Sequence, residues 1–223
     1  MVRKRKKEKK RRIIIFNLSG ALILPFDKKI TLWCDAIRAC SAPLSEKIIY
    51  ENYQKSFHKE IIPLLARAGA WTEQQQNEII VTARGSFDND NFASLAGLAE
   101  SMQALKEHYD LGVVTNRSSD ELNKSFLSLG FKSDWFRIIH TSDNGVYKPD
   151  PRVFKTVLKD YDKEDVLYIG TAKNDLAVAE KAGIKFWGIT SSMCPQGLFW
   201  AYGLTQEQTF TSITQVMEKL LEE

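Results

Sequence analysis

Four short segments carry the residue types that could do chemistry in this chain. Asn17 and Ser19 follow the run Ile13–Phe16, and Thr115, Asn116 and Arg117 close the run that begins at Leu111. Lys148 stands in the segment Tyr147-Lys148-Pro149-Asp150-Pro151, and Thr171 and Asp175 follow Val166–Gly170. In an open parallel sheet, ligands sit beyond the carboxyl ends of the strands. A hydroxyl, an amide, a lysine and one carboxylate are therefore expected to converge on one rim. Such a set suits an anion, phosphate above all, with loop N–H groups and helix N-termini assisting. Thr115, Asn116 and Lys148 are the candidate anion-binding residues.

Each of these residues also has a plainer reading. Lys148 holds a phosphoryl oxygen or pairs with Asp175 as a buried ion pair. Thr115 is a phosphate ligand or a capping hydroxyl. Asn17 and Ser19 belong to an anion pocket or serve as turn residues that satisfy local backbone groups. Arg117 reads as a solvated rim charge. His58, His108 and His140 have no cysteine or histidine partners at ligand spacing, and read as surface or packing residues.

Positioning such a rim takes a particular fold. Ile13–Phe16, Leu111–Thr115, Arg137–Thr141, Val166–Gly170 and Lys185–Thr190 are short runs rich in apolar residues, without a clean polar alternation, and read as buried strands. Between them, 94–109, 120–130 and 174–183 carry helical periodicity, with an Asp cap predicted at the start of the second and glycine stops at Gly130 and Gly183. Strands alternating with helices predict an α/β fold: a Rossmann-like parallel sheet with helices on both faces. Residues 27–90 break the pattern. They contain no convincing strand, and 28–41, 45–68 and 72–84 read as helices, with Pro63 kinking or splitting the second. The predicted organisation is a basic N-terminal arm over 1–12, a core over 13–26 and 91–223, and a helical insert over 27–90. Trp33, Trp71, Tyr50, Tyr53 and Phe57 are expected to pack that insert.

The chain has 223 residues, 43% hydrophobic and 26% charged, which excludes a disordered or low-complexity protein. Its net charge of +3 conceals an asymmetry. The first twelve residues hold nine Lys/Arg and one Glu, a local charge of +8, so the rest of the chain carries −5. An arm of this kind suits sequence-independent, salt-sensitive contact with RNA or DNA, an import signal, an anionic membrane surface or a solubilising tail. A protein partner is a further expectation. Cys34, Cys40 and Cys194 form no metal-spaced cluster and read as reduced thiols in a cytoplasmic or nuclear setting. No apolar run approaches the roughly 18 residues of a membrane span, so a soluble protein is expected.

The phrases FNLSGALI, VVTNRS, YKPDPRVF and YIGTAKNDLAVAEKAGIKFWGIT, in that order and spacing, resemble the haloacid dehalogenase superfamily. The likeness is to its phosphoglycolate-phosphatase-like branch with a helical cap, and it covers residues 13–223. The resemblance implies a phosphatase that uses an Asp nucleophile at the end of strand one, a second Asp two residues later as acid and base, a Thr/Ser and a Lys on the phosphoryl oxygens, and acidic residues that help bind Mg²⁺. Thr115, Lys148 and Asp175 match that pattern. Asn17 stands at the nucleophile position, Ser19 at the acid/base position and Thr171 at the earlier metal-binding acid.

Those three departures shape the functional expectation. A carboxamide has no anionic oxygen with which to attack phosphorus, and a serine hydroxyl is no general acid near neutral pH. With Asp175 the one carboxylate left, a Mg²⁺ site is expected to be weak or vacant, and no cofactor is expected. The resemblance therefore suggests a catalytically degenerate homologue, a pseudoenzyme acting as a binding or structural component. The alternative is an active phosphoric monoester hydrolase, working by an altered route on a small phosphoester.

Overall fold

A computed structural model describes residues 11–23, 26–42, 44–55, 61–90, 97–192 and 194–223, with the backbone alone at 26–29, 50, 53–55 and 84–90. The chain opens with β1 (Ile13–Phe16), followed by α1 (Phe26–Ala39), α2 (Glu46–Lys55), α3 (Ile61–Gly69) and α4 (Glu73–Asp90). Then come α5 (Leu98–His108), β2 (Asp110–Val114), α6 (Ser119–Leu129), β3 (Phe136–His140) and α7 (Lys155–Asp160). The remainder is β4 (Val166–Gly170), α8 (Lys173–Ala182), β5 (Lys185–Ile189), α9 (Gln196–Ala201), β6 (Thr209–Phe210) and α10 (Ile213–Glu222).

The strands form one parallel sheet in the order β3-β2-β1-β4-β5-β6. Strand β1 is central because it can be buried on both faces. Ile14 and Phe16 join a cluster with Met102 and Leu105 of α5, Leu122 and Phe126 of α6, and Val216 and Leu220 of α10. Ile13 and Ile15 face the other way, into a cluster with Phe154, Val157 of α7, Leu176 and Ala179 of α8, and Phe199 of α9. All four β1 residues are fully buried, and β-branched side chains suit a pleated strand packed on both sides. Each isoleucine contributes about 1.5–3 kcal/mol on burial.

Helices α1, α3 and α4, with Ile49 of α2, enclose a third cluster, separate from the sheet clusters, in which Ile30, Ile37, Ile49, Leu65, Trp71 and Ile79 are buried. Pro63 is the third residue of α3 as described. The expected helix over 45–68 corresponds to α2 and α3, and 56–60 lie outside the described residues. Trp71 packs as expected, and Trp33 lies partly buried against the same cluster. The Tyr50 and Tyr53 side chains and all of Phe57 and His58 lie outside the described residues.

Two local expectations are corrected. Helix α6 is capped by Ser118, not Asp120: Ser118 Oγ accepts from the Glu121 N–H and Glu121 accepts from the Ser118 N–H, a reciprocal box. Asp120 lies inside the first turn, where its charge favours the helix dipole. Helix α8 starts at Lys173, one residue before the expected start, and Ala172 at its cap position offers no side-chain bond. Asp175 takes over that task by accepting from the backbone N–H of Thr171 and Ala172. Strand β6, two residues long, carries no readable sequence signal.

Candidate functional site

The rim is built where β1, β2 and β4 end. The Asn17 N–H continues the sheet ladder to Ile169 O at 2.8 Å. The chain then turns through Leu18–Ile23, closed by Gly20 N–H to Ile23 O at 2.7 Å and Ile23 N–H to Leu18 O at 3.0 Å. Gly20 has φ +84°, and a Cβ there would stand 2.8 Å from Thr171 Oγ1. Only glycine allows both the left-handed turn and that approach.

Asp175 and Lys148 form the centre. Their side chains are 3% and 5% exposed, and Lys148 Nζ lies 2.6 Å from Asp175 Oδ1. The ammonium also donates to Asn17 Oδ1 at 2.9 Å and to the Tyr168 hydroxyl oxygen at 2.8 Å, so its three protons have three acceptors. Asp175 Oδ1 accepts in addition from Tyr168 OH at 2.7 Å. Its Oδ2 accepts from Asn17 Nδ2 at 3.0 Å, Thr171 N–H at 2.9 Å and Ala172 N–H at 3.2 Å. Five donors thus meet a carboxylate that offers about four lone-pair sites. Burial, reinforced by the Asp175 charge, holds the Tyr168 hydroxyl well above the usual phenol range, so it stays protonated and donating.

The other predicted residues surround this centre. Asn116 spends both ends of its amide on the backbone of Lys148: Oδ1 accepts from its N–H at 2.8 Å and Nδ2 donates to its carbonyl at 3.3 Å. Buried Thr115 accepts from the Arg117 N–H at 3.2 Å. The Arg117 side chain is no freely solvated rim charge: its Nε donates to Ser19 Oγ at 2.8 Å, and its outer nitrogen lies 3.5 Å from Glu121. Asn17 Nδ2 and Thr171 Oγ1 both donate to the Ser19 carbonyl, at 2.8 and 3.1 Å. Asn17, Ser19, Thr115, Asn116, Lys148, Thr171 and Asp175 are therefore brought together.

Tyr168 is the participant that sequence reasoning missed. It sits inside a strand otherwise filled with Val, Leu, Ile and Gly, and the signal was its hydroxyl, which a fully buried tyrosine must satisfy. His140 packs, its ring Nε2 lying 2.9 Å from Val146 O. Cys40 and Cys194 are buried and Cys34 is partly exposed, all free thiols.

The donor set does not fit the Mg²⁺ that the fold family implies. Mg²⁺ demands near-octahedral oxygen coordination and favours carboxylates. Here one carboxylate is present, and both its oxygens are occupied by N–H and O–H donors. Among the described residues no three His, Cys, Asp or Glu side chains gather closely enough to share an ion.

Of the basic arm, residues 1–10 lie outside the described residues. Arg11 and Arg12 are docked. Arg11 donates to the carbonyls of Lys106, at 3.3 Å, and Glu107, at the end of α5. Arg12 pairs with Glu223 at 2.8 Å and lies 5.7 Å from the centre of the Tyr109 ring. Among the described residues, no helix is long and apolar enough to cross a membrane.

A parallel sheet with helices on both faces and polar side chains gathered at its strand ends defines an α/β protein with a polar rim. The chain belongs to the haloacid dehalogenase-like hydrolase family, whose sequence model matches residues 14–189. A phosphoglycolate phosphatase from Haemophilus influenzae is 27% identical over 142 residues, 57% of this chain and 63% of that protein, so the match spans less than two thirds of the relative. Among solved structures, a β-phosphoglucomutase candidate from Thermotoga maritima superposes with a TM-score of 0.72 at 18% identity, covering 95% of this chain and 99% of that one. A HAD-hydrolase candidate from Bacillus subtilis, bound to magnesium, gives 0.65 at 18% identity over 95% and 99%. At such identities the structures establish the fold.

Proposed function

We propose that this protein is a non-catalytic member of its family, a phosphatase-like binding or structural component. The observation that carries the reading is the Asn17 carboxamide at the nucleophile position, engaged with Asp175 and Lys148. An aspartyl nucleophile attacks phosphorus through an anionic oxygen. Asn17 has none, and its Oδ1 already accepts from the lysine. Ser19, at the acid/base position, accepts from Arg117 and supplies no carboxyl proton.

The same geometry favours Lys148 as one half of a structural ion pair over Lys148 as a phosphate ligand, because a phosphoryl oxygen would have to displace Asn17, Tyr168 or Asp175. Arg117, whose side chain keeps a quarter of its surface exposed, is the rim cation placed to meet an anion, whereas Thr115 is buried. The division into a core over 13–26 and 91–223 with a helical cap over 27–90 agrees with the separate apolar cluster of α1–α4, and it belongs to this reading. So does the basic arm, which supplies contact with nucleic acid in a cytoplasmic or nuclear setting.

The test is hydrolysis of an aryl phosphate with Mg²⁺ present. The expected rate equals the buffer background. Turnover above background that disappears in Lys148→Ala would replace this reading with that of a phosphatase working by an altered route.

A further inference from the structure

The misfit between the rim and a divalent cation is itself organised. We propose that Asn17 and Thr171 together are a built-in substitute for the cation, supplying hydrogen-bond donors where carboxylates would need a metal between them. The proposal rests on the non-catalytic reading and extends it to what holds the vacated site closed.

Asn17 Nδ2 lies 3.0 Å from Asp175 Oδ2. A carboxylate at position 17 would set acceptor against acceptor at that distance, with Lys148 left to neutralise two negative groups; such pairs cannot both stay ionised without a further cation. Thr171 repeats the logic. Its hydroxyl donates to the Ser19 carbonyl at 3.1 Å and accepts from Asn17 Nδ2 at 3.4 Å. A carboxylate there would present no proton to that carbonyl and would set a second negative group beside Asp175. The two replaced residues thus bond to each other and converge on Ser19 O.

Tyr168 completes the arrangement as a positioning residue. Its hydroxyl bridges Lys148 and Asp175 and fills the remaining lone pair of Oδ1. Both oxygens of the cluster's one carboxylate are filled by donors, so the folded state does not depend on a divalent cation. Asn17 and Thr171 act as a pair, since each supplies what the other's polar atoms need.

Thermal unfolding in EDTA and in millimolar Mg²⁺ reads this directly. The native chain is expected to melt at the same temperature in both. The double variant Asn17→Asp with Thr171→Asp is expected to lose about 5 °C or more in EDTA and to recover most of it in Mg²⁺, with calorimetric Mg²⁺ binding that the native chain lacks. If the double variant folds only with Mg²⁺, the proposal is likewise supported. If it folds in neither buffer, Asn17→Asp alone carries the comparison, with the same expected direction. A Mg²⁺-dependent rise for the native chain, or a variant indifferent to Mg²⁺, would overturn the proposal. The aryl phosphate assay is read separately: turnover by a chain whose melting ignores Mg²⁺ would sink the non-catalytic reading alone.

Discussion

At the scale of the residue, charge and hydrogen-bond capacity decide what the rim does. Lys148 and Asp175 are both almost wholly buried, and a buried ion pair stands only when its remaining protons and lone pairs are satisfied. Tyr168 and Asn17 meet that condition. Removing one partner leaves a stranded charge. Lys148→Met is therefore expected to cost about 3–5 kcal/mol, measured by urea unfolding. A loss below about 1 kcal/mol would mean that water reaches Asp175. Most of this site was legible in the sequence, because Asn17, Ser19, Thr115, Thr171 and Asp175 follow recognisable strands and Lys148 stands in a distinctive Lys-Pro-Asp-Pro loop. What was not legible was which acceptor each donor would choose. Lys148 could face an anion or Asp175 from its place in the chain, and distances alone select Asp175. Tyr168 escaped notice because a tyrosine in a buried strand reads as packing, and it packs as well as donates.

At the scale of the element, the approach of α8 to the end of β4 makes the rim. Gly170, the last residue of β4, permits that approach: a Cβ there would stand 2.4 Å from the Asp175 Cβ and 2.8 Å from the Phe186 ring. Neither neighbour can yield without shifting α8 or β5. Gly170→Ala is expected to destabilise the protein by about 1–3 kcal/mol through overpacking, with the Lys148–Asp175 contact lengthened in a crystal structure of the variant. Unchanged stability would show that α8 slides freely. Strands were the most legible elements, since Ile13–Phe16 and Val166–Gly170 are apolar throughout and their ends match the sequence reading. Helix starts were less so. The Ser118 cap lost to Asp120 in the reading because both residue types cap helices, and the choice depended on the reach of Glu121. At α8 the capping group is a core carboxylate from inside the helix. Strand β6 has two residues, too few for a period to show.

At the scale of the whole molecule, the polar rim and the two docked arginines lie at opposite ends of β1. The rim lies past the carboxyl end of β1, whereas Arg11 and Arg12 precede its amino end. There Arg11 and Arg12 are bound to α5 and to Glu223; the other seven of the nine arm cations fall within residues 1–10. Binding to single- or double-stranded nucleic acid is expected to weaken steeply with salt, by about 10³-fold or more between 50 and 200 mM if six or more phosphates are contacted. It should vanish when residues 2–10 are deleted and be unaffected by Lys148→Met. Salt-independent binding, or binding that survives the deletion, would remove nucleic acid from the reading.

The central place of β1 also bears on biosynthesis. Its ladder partners are Asp110–Val113 on one side and Val166–Ile169 on the other. Strand β1 is thus made well before both of its neighbours, and residues as far along as Ile169 must follow before its ladder is complete. Pairings so distant in sequence slow folding and leave an apolar strand unshielded meanwhile. The cluster of Asn17, Lys148 and Asp175 spans up to 158 positions of sequence, so it can close only once Asp175 has been made.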